Sequence, residues 1–150
     1  MKKQKKNGQS YLISNINSIM YEYPIKEILK VIDGDTVDIL FDLGFNVFHK
    51  ERIRLAGIDT PESNSKDLQE KTMAHEAKDF LAIWLVNQNL LRIKTTKDDK
   101  YGRILGHIYG DNNICINELL IENGYAWKYN GDAKIKDFNL LLEKRKSHEN

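Results

Sequence analysis

Past residue 20, the first half of the chain is patterned with a period of two. Val37, Ile39 and Phe41 alternate with Thr36, Asp38 and Asp42, as in a half-buried strand. Upstream, Ile25, Ile28 and Val31 lie in a run that stops at the turn Asp33-Gly34. Downstream, Gly44 and Asn46 mark another turn. Ile53 and Leu55 then alternate with Arg52 and Arg54 until Gly57 ends the run. Arg54 is therefore expected on the face opposite to the one that buries its neighbours.

The period then changes. Ala77, Phe80, Leu81, Trp84 and Leu85 recur at helical spacing, with Glu76, Lys78 and Asp79 on the other side. Two strands are expected over residues 90–96 and 103–109, followed by a turn at Gly110-Asp111-Asn112-Asn113. Asn117 reads as the cap of a short helix carrying Leu119 and Leu120, which Gly124 ends. A last helix is expected to start at Asp132 and bury Ile135, Phe138, Leu141 and Leu142. Three strands, a helix, two strands and two helices make an α+β chain, a small antiparallel barrel packed by about three helices. A five-stranded Greek-key barrel of the OB type fits that count.

Composition narrows the class. At 150 residues, 41% hydrophobic and 30% charged, the chain suits one soluble domain with one core. Residues 1–20 are polar and weakly patterned. They read as a flexible basic arm, solvated rather than bound to nucleic acid, ahead of a domain over residues 21–150. The stretch from Tyr11 to Met20 is broken by Ser14, Asn15, Asn17 and Ser18, so it does not supply the apolar region of a signal peptide. A cytoplasmic protein is expected, and a monomer with no membrane partner. The single cysteine, Cys115, excludes an internal disulfide and a multi-cysteine zinc site. Between Ile114 and Ile116 it reads as core filler. A net charge of +1 does not advertise nucleic-acid binding, so any phosphate-binding surface must be local.

Chemistry gathers in three short blocks: Asp33-Gly34-Asp35-Thr36, Arg54 with Asp59-Thr60-Pro61-Glu62, and Lys100-Tyr101-Gly102-Arg103. Each has a plain structural reading. Asp33-Gly34 makes a hairpin turn. Thr60 can cap a helix with Pro61 at its first position. Either arginine can be a structural ion pair, and Tyr101 can merely cover the barrel mouth. Each block also has a chemical reading. Pro61 stiffens a turn able to aim Asp59, the Thr60 carbonyl and Glu62 at one point. Oxygen ligands for a hard cation, a water to activate and guanidinium groups for developing charge are the parts of a phosphodiester-cleaving site. An EF-hand is excluded, because Val37 and Asp38 stand where it needs an Asp or Asn and a glycine. Arg54 and Arg103 are two of only five arginines in a chain with eighteen lysines, and arginine's planar fork suits bidentate phosphate contact.

In order, residue type and approximate spacing, the blocks resemble the thermonuclease, or staphylococcal-nuclease-like, family from about Ile25 to about Tyr129. The resemblance implies Asp35 and Asp59 as calcium ligands beside the Thr60 carbonyl, with Asp33 as a nearby supporting acid. It implies Glu62 as the residue that positions or deprotonates the attacking water, and Arg54 and Arg103 as holders of the scissile phosphate. Lys100 and Tyr101 match contacts to the nucleotide's terminal phosphate, and Tyr129 is assigned to substrate binding. The implied activity is calcium-dependent hydrolysis of DNA or RNA, leaving 3′-phosphate ends with little base selectivity.

Departures from the family pattern are visible. Met73-Ala74-His75-Glu76-Ala77 lacks the glycine and proline often found at the first helix. The segment from Gly124 to Tyr129, with Trp127, is shorter than the aromatic substrate loop it replaces. The insert from Asp42 to Val47, without a secretion signal, looks like phage or prophage members. Two competing readings are a non-catalytic nucleic-acid- or protein-binding module on the same fold, and a structural calcium site. The presence of Asp35, Arg54, Asp59, Glu62 and Arg103 together favours the enzyme.

Overall fold

The computed structural model describes residues 21–96 and 98–149, so the basic arm expected over residues 1–20 lies outside the described residues. Five strands close a barrel in the order β1 (Tyr21–Asp33), β2 (Thr36–Asp42), β3 (Phe48–Leu55), β6 (Ile104–Tyr109) and β5 (Arg92–Thr95), which returns to β1. A two-residue pair, β4 (Ile58–Asp59) with β7 (Trp127–Lys128), lies outside it. Among the described residues three α-helices complete the fold: α1 (Leu68–Val86), α2 (Ile116–Glu122) and α3 (Phe138–His148). No described helix is long and apolar enough to cross a membrane.

The alternating positions of β2 and β3 are the core. Val37, Ile39, Ile53, Ile93 and Ile108 are wholly buried inside the barrel, and Leu81 and Leu85 of α1 close it from one side. β1 serves two neighbours, pairing β5 through Tyr21–Pro24 and β2 through Ile25–Asp33. Register shifts along the β2 pairing bend it, which is how a long strand turns a barrel corner. Gly106 is needed for closure, because a Cβ there would meet Ile93 Cδ1 at 2.6 Å. The insert from Asp42 to Val47 forms the tip of the β2–β3 hairpin, with positive φ at Gly44, Phe45 and Asn46.

The five-stranded barrel expected from the sequence is present, but not all of its pairings are antiparallel. β6 runs parallel to β3, pairing Ile53 with Ile104 and Leu55 with Gly106. The chain crosses through α1 and β5 before returning, so β6 comes alongside β3 in the same direction. Alternation reports which face a strand buries and is silent on the direction of its partner.

Helix starts also moved. Thr60 and Pro61 begin no helix; Asp67 caps α1, its carboxylate accepting from the Gln69 and Glu70 amides. α3 starts at Phe138 under an Asp137 cap rather than at Asp132, and Ile135 is exposed. Trp127 is 5% exposed, packed edge-on against Phe138 and donating Nε1–H to the Asp137 carbonyl, so it presents no face to a substrate base. Cys115 is buried as expected and burial pushes its thiol pKa up.

Asn117 is not a cap. It lies inside α2, 2% exposed, where Nδ2 donates to the Ala56 and Gly106 carbonyls at 2.8 and 3.0 Å and Oδ1 accepts from the Ile108 amide at 3.2 Å. One side chain thus ties α2 to β6 and to the turn that carries the chain out of β3. Each orphaned buried polar group costs about 1–3 kcal/mol. Asn117→Ala is therefore expected to lower unfolding free energy by at least about 2 kcal/mol, read from the denaturant midpoint. An unchanged midpoint would show that these three contacts carry no stability.

Candidate active site

Hairpin register brings the first two blocks together. Thr36 sits opposite Arg54, and the Leu55 amide donates to the Asp35 carbonyl at 2.8 Å, so the turn carrying Asp35 lies beside the end of β3. That turn packs directly on α1: a Cβ on Gly34 would sit 2.8 Å from Ala77 Cβ, which explains the glycine by close approach. Gly57, at φ +75°, then turns the chain into β4, whose Asp59 pairs with Trp127 of β7.

Arg54 lies between the two carboxylates. Its Nη2 donates to Asp59 Oδ1 at 3.1 Å, and its Nη1 lies 2.8 Å from Asp35 Oδ2, an ion contact without hydrogen-bond alignment. Asp35 Oδ2 also accepts from the Thr60 amide at 3.2 Å and the Thr60 hydroxyl at 2.9 Å; Asp35 Oδ1 accepts from the Thr36 hydroxyl at 2.9 Å. Asp35, Arg54, Asp59 and Thr60 are each at most 8% exposed. Two carboxylates and one guanidinium, nearly dry, leave one negative charge uncompensated, an arrangement that is costly to bury without a further cation. Part of that charge is met by Lys134, whose Nζ lies 3.2 Å from Asp59 Oδ1.

Glu62 is placed by its backbone. Its amide donates to Glu70 Oε1 at 3.2 Å, and Lys136 Nζ holds the same Glu70 oxygen at 2.9 Å. Burial pushes the Glu70 carboxyl upward, but hydrogen bonds from Ser65, Lys136 and the Glu62 amide outweigh it and hold the group below its ordinary pKa. The Glu62 side chain is half-exposed, with Lys134 and Lys136 each 3.6 Å from Oε1. Asp33 stands aside from the ion cluster, accepting from the Ser63 hydroxyl at 3.1 Å.

The third block arrives through the parallel pairing. Arg103 immediately precedes β6, whose Leu105 lies opposite Arg54. Asp99 shapes the loop before it: Oδ1 accepts from the Tyr101 and Arg103 amides at 2.9 Å each, and Oδ2 accepts from Arg103 Nε at 2.7 Å. Gly102, at φ +73°, takes the left-handed position the turn requires. Burial raises the Asp99 pKa, yet these bonds to Arg103 and Tyr101 win and keep it below the usual carboxylate value. Only Nε of Arg103 is engaged by Asp99, and the side chain is 43% exposed. Lys100 Nζ and the Arg103 guanidinium lie over the Tyr101 ring at 5.2 and 5.4 Å.

One open cleft of about 1010 Å³ is lined by Asp33, Asp35, Arg54, Asp59, Thr60, Glu62, Lys100, Tyr101, Arg103 and Tyr129. All ten of these positions, singled out in the sequence, therefore line a single cleft. Asp99, Glu70, Lys134 and Lys136 were not singled out. Asp99 had a signal, its spacing of four residues from Arg103, and Glu70 lies only eight residues from the Glu62 it holds; Lys134 and Lys136 reach the site across long sequence separations.

The donor set fits a hard cation. Asp35, Asp59 and Thr60 offer only oxygen, which calcium takes from carboxylates, carbonyls and waters alike. Among the described residues no three His, Cys, Asp or Glu side chains form a ready cage, so water would have to complete the shell. The cationic heads already seated on these carboxylates, Arg54 and Lys134, show that the cluster calls for positive charge.

The sequence model of the staphylococcal nuclease homologue family matches residues 52–148, most of the described chain. The chain belongs to that family. A thermonuclease of Staphylococcus hyicus is 30% identical over 76% of this chain and 62% of its own length. A micrococcal nuclease of Shigella flexneri is likewise 30% identical, over 76% of this chain and 63% of its own. An uncharacterized protein of Bacillus anthracis is 37% identical over 67% of this chain, which spans 45% of that relative. This chain thus covers about half to three fifths of these relatives' lengths. The closed barrel with three helices is the staphylococcal-nuclease, OB-type α+β fold.

Proposed function

We propose that this chain is a calcium-dependent nuclease that hydrolyses phosphodiester bonds of DNA or RNA and leaves 3′-phosphate ends. The observation that carries this reading is the convergence of Arg54 and Arg103 on one cleft with Asp35, Asp59, Thr60 and the half-exposed Glu62. The nuclease names of two family relatives agree with it.

Asp35, Asp59 and the Thr60 carbonyl would hold the cation, which when bound supplies a Lewis acid for a phosphate oxygen. Glu62, its backbone fixed by Glu70 and its carboxylate in the cleft, accepts a proton as the attacking water oxygen bonds to phosphorus. The P–O5′ bond breaks and the departing oxygen takes a proton from solvent. Arg54 is held rigidly by two carboxylates and Arg103 by Asp99, so both forks are positioned before charge develops on the phosphate. Lys100 and Tyr101, at one side of the cleft, are assigned to the terminal phosphate, and Tyr129 to the substrate's sugar or base. These contacts address phosphate and ring faces, which every sequence offers.

Metal choice tests the reading. Ligands on a turn and on strand ends suit calcium's variable shell better than magnesium's tight octahedron. Plasmid digestion is expected with calcium, and little with magnesium alone. With both, magnesium should inhibit competitively; with chelator, cleavage should stop. Products should carry 3′ ends that a phosphatase must treat before a polymerase extends them. Rapid cleavage with magnesium alone, or undiminished cleavage in chelator, would overturn the metal assignment.

A further inference from the structure

After β7 the chain does not leave the cleft. The Tyr129 amide donates to the Gly57 carbonyl at 2.9 Å, and residues 130–136 then run past the site to the Asp137 cap of α3. This strap is exposed throughout, and Gly131 within it has φ +92° with open space around it. Two lysines tie it to the acidic site, and they differ. Lys136 is hydrogen-bonded to the buried Glu70 at 2.9 Å, and that carboxylate also holds the Glu62 backbone. Among the described residues, Lys134 pairs only with Asp59, at 3.2 Å, and Glu62, at 3.6 Å, the two acids placed in the metal and water roles.

We propose that Lys134 is a resident counter-cation that a metal ion must displace from Asp59, so that the strap sets the metal affinity of the site. The inference rests on the nuclease reading above and deepens it. An ammonium 3.2 Å from a carboxylate oxygen occupies the approach a divalent cation would take to that same oxygen, and like charges so close repel strongly. Asp59 is only 4% exposed, so water screens charges at its carboxylate poorly, although the Lys134 side chain itself is 43% exposed. Release is inexpensive for the fold, because Lys134 lies on an exposed strap whose firmer tie is Lys136. Once displaced, the ammonium still lines the cleft with Arg54 and Arg103, the two residues assigned to the substrate phosphate. One side chain thus passes from a protein carboxylate in the metal-free protein to a substrate phosphate in the loaded one.

The two halves carry opposite signs, which a merely structural residue would not produce. Lys134→Met is expected to tighten calcium binding, measured by calorimetry on the full chain without substrate, by about threefold to tenfold. It should also raise KM for plasmid DNA. Lys134→Gln should behave alike, and Lys134→Arg, which keeps the charge, should bind calcium as the unsubstituted protein does. Calcium affinity that is unchanged or weaker in both neutral variants would overturn the proposal while leaving the nuclease reading intact. If the unsubstituted protein gives the same calcium titration as Asp59→Asn, the metal site itself fails, and this inference falls with it.

Discussion

Arg54→Met is expected to cost the metal-free protein about 3–5 kcal/mol of stability, the usual consequence of removing one partner from a buried ion cluster. Arg54 is the cation seated between Asp35 and Asp59, and all three are nearly inaccessible to water. Methionine fills much of the same volume but leaves two facing carboxylates with Lys134 as their remaining cation. Calcium should return part of the loss, since a ligand that binds only the folded state stabilises it by mass action. Turnover should fall at least about 10²-fold even at saturating calcium, because a preorganised donor to the phosphate has gone. Arg54→Lys separates the two roles: it keeps the charge and should regain most of the stability, but a single ammonium does not reproduce the fork and turnover should stay low. Denaturant midpoints with and without calcium, beside steady-state digestion, make the measurement. A midpoint unchanged by Arg54→Met in chelator would mean that the carboxylates do not depend on it.

Glu62→Gln should leave the fold and metal site nearly intact and strike the chemistry. The Glu62 side chain is half-exposed, and its ion partners stand at 3.6 Å, so little stability depends on it. Its backbone tie to Glu70 survives the substitution. Loss of a positioned general base is expected to reduce turnover by about 10²–10⁴-fold. Calcium affinity should fall only slightly, because Asp35, Asp59 and Thr60 are untouched. If calorimetry instead found calcium binding abolished, with turnover fully recovered at high calcium, Glu62 would be a metal ligand and the water would need another base.

What could be read along the chain was what depends on near neighbours. The alternation of Val37, Ile39 and Phe41 became the inner face of β2, and the helical spacing of Ala77, Leu81 and Leu85 became the buried face of α1. Short polar blocks carried the chemistry for the same reason: the Gly34 turn holds Asp35 and the stiff Thr60-Pro61 segment follows Asp59, so their local geometry travels with them. Helix starts were less legible. Several residues near each could cap it, and the ones whose carboxylates accept first-turn amides are Asp67 and Asp137 rather than Thr60 and Asp132.

By itself, then, the sequence determined the elements, the faces they bury and the residue types from which a phosphate-cleaving site can be built. Tertiary structure alone decided that β6 pairs parallel to β3 and so delivers Arg103 to the cleft of Arg54. It also decided that Arg54, expected to face away from the core and to hold the scissile phosphate, is itself buried between two carboxylates, and that Asn117 braces the barrel from inside a helix. Lys134 reaches Asp59 across 75 positions of sequence, a contact set by where the strap must run between β7 and α3. Periodicity records which side of a residue meets water. Which charges become neighbours, and how dry they are, follows only from closure of the whole barrel.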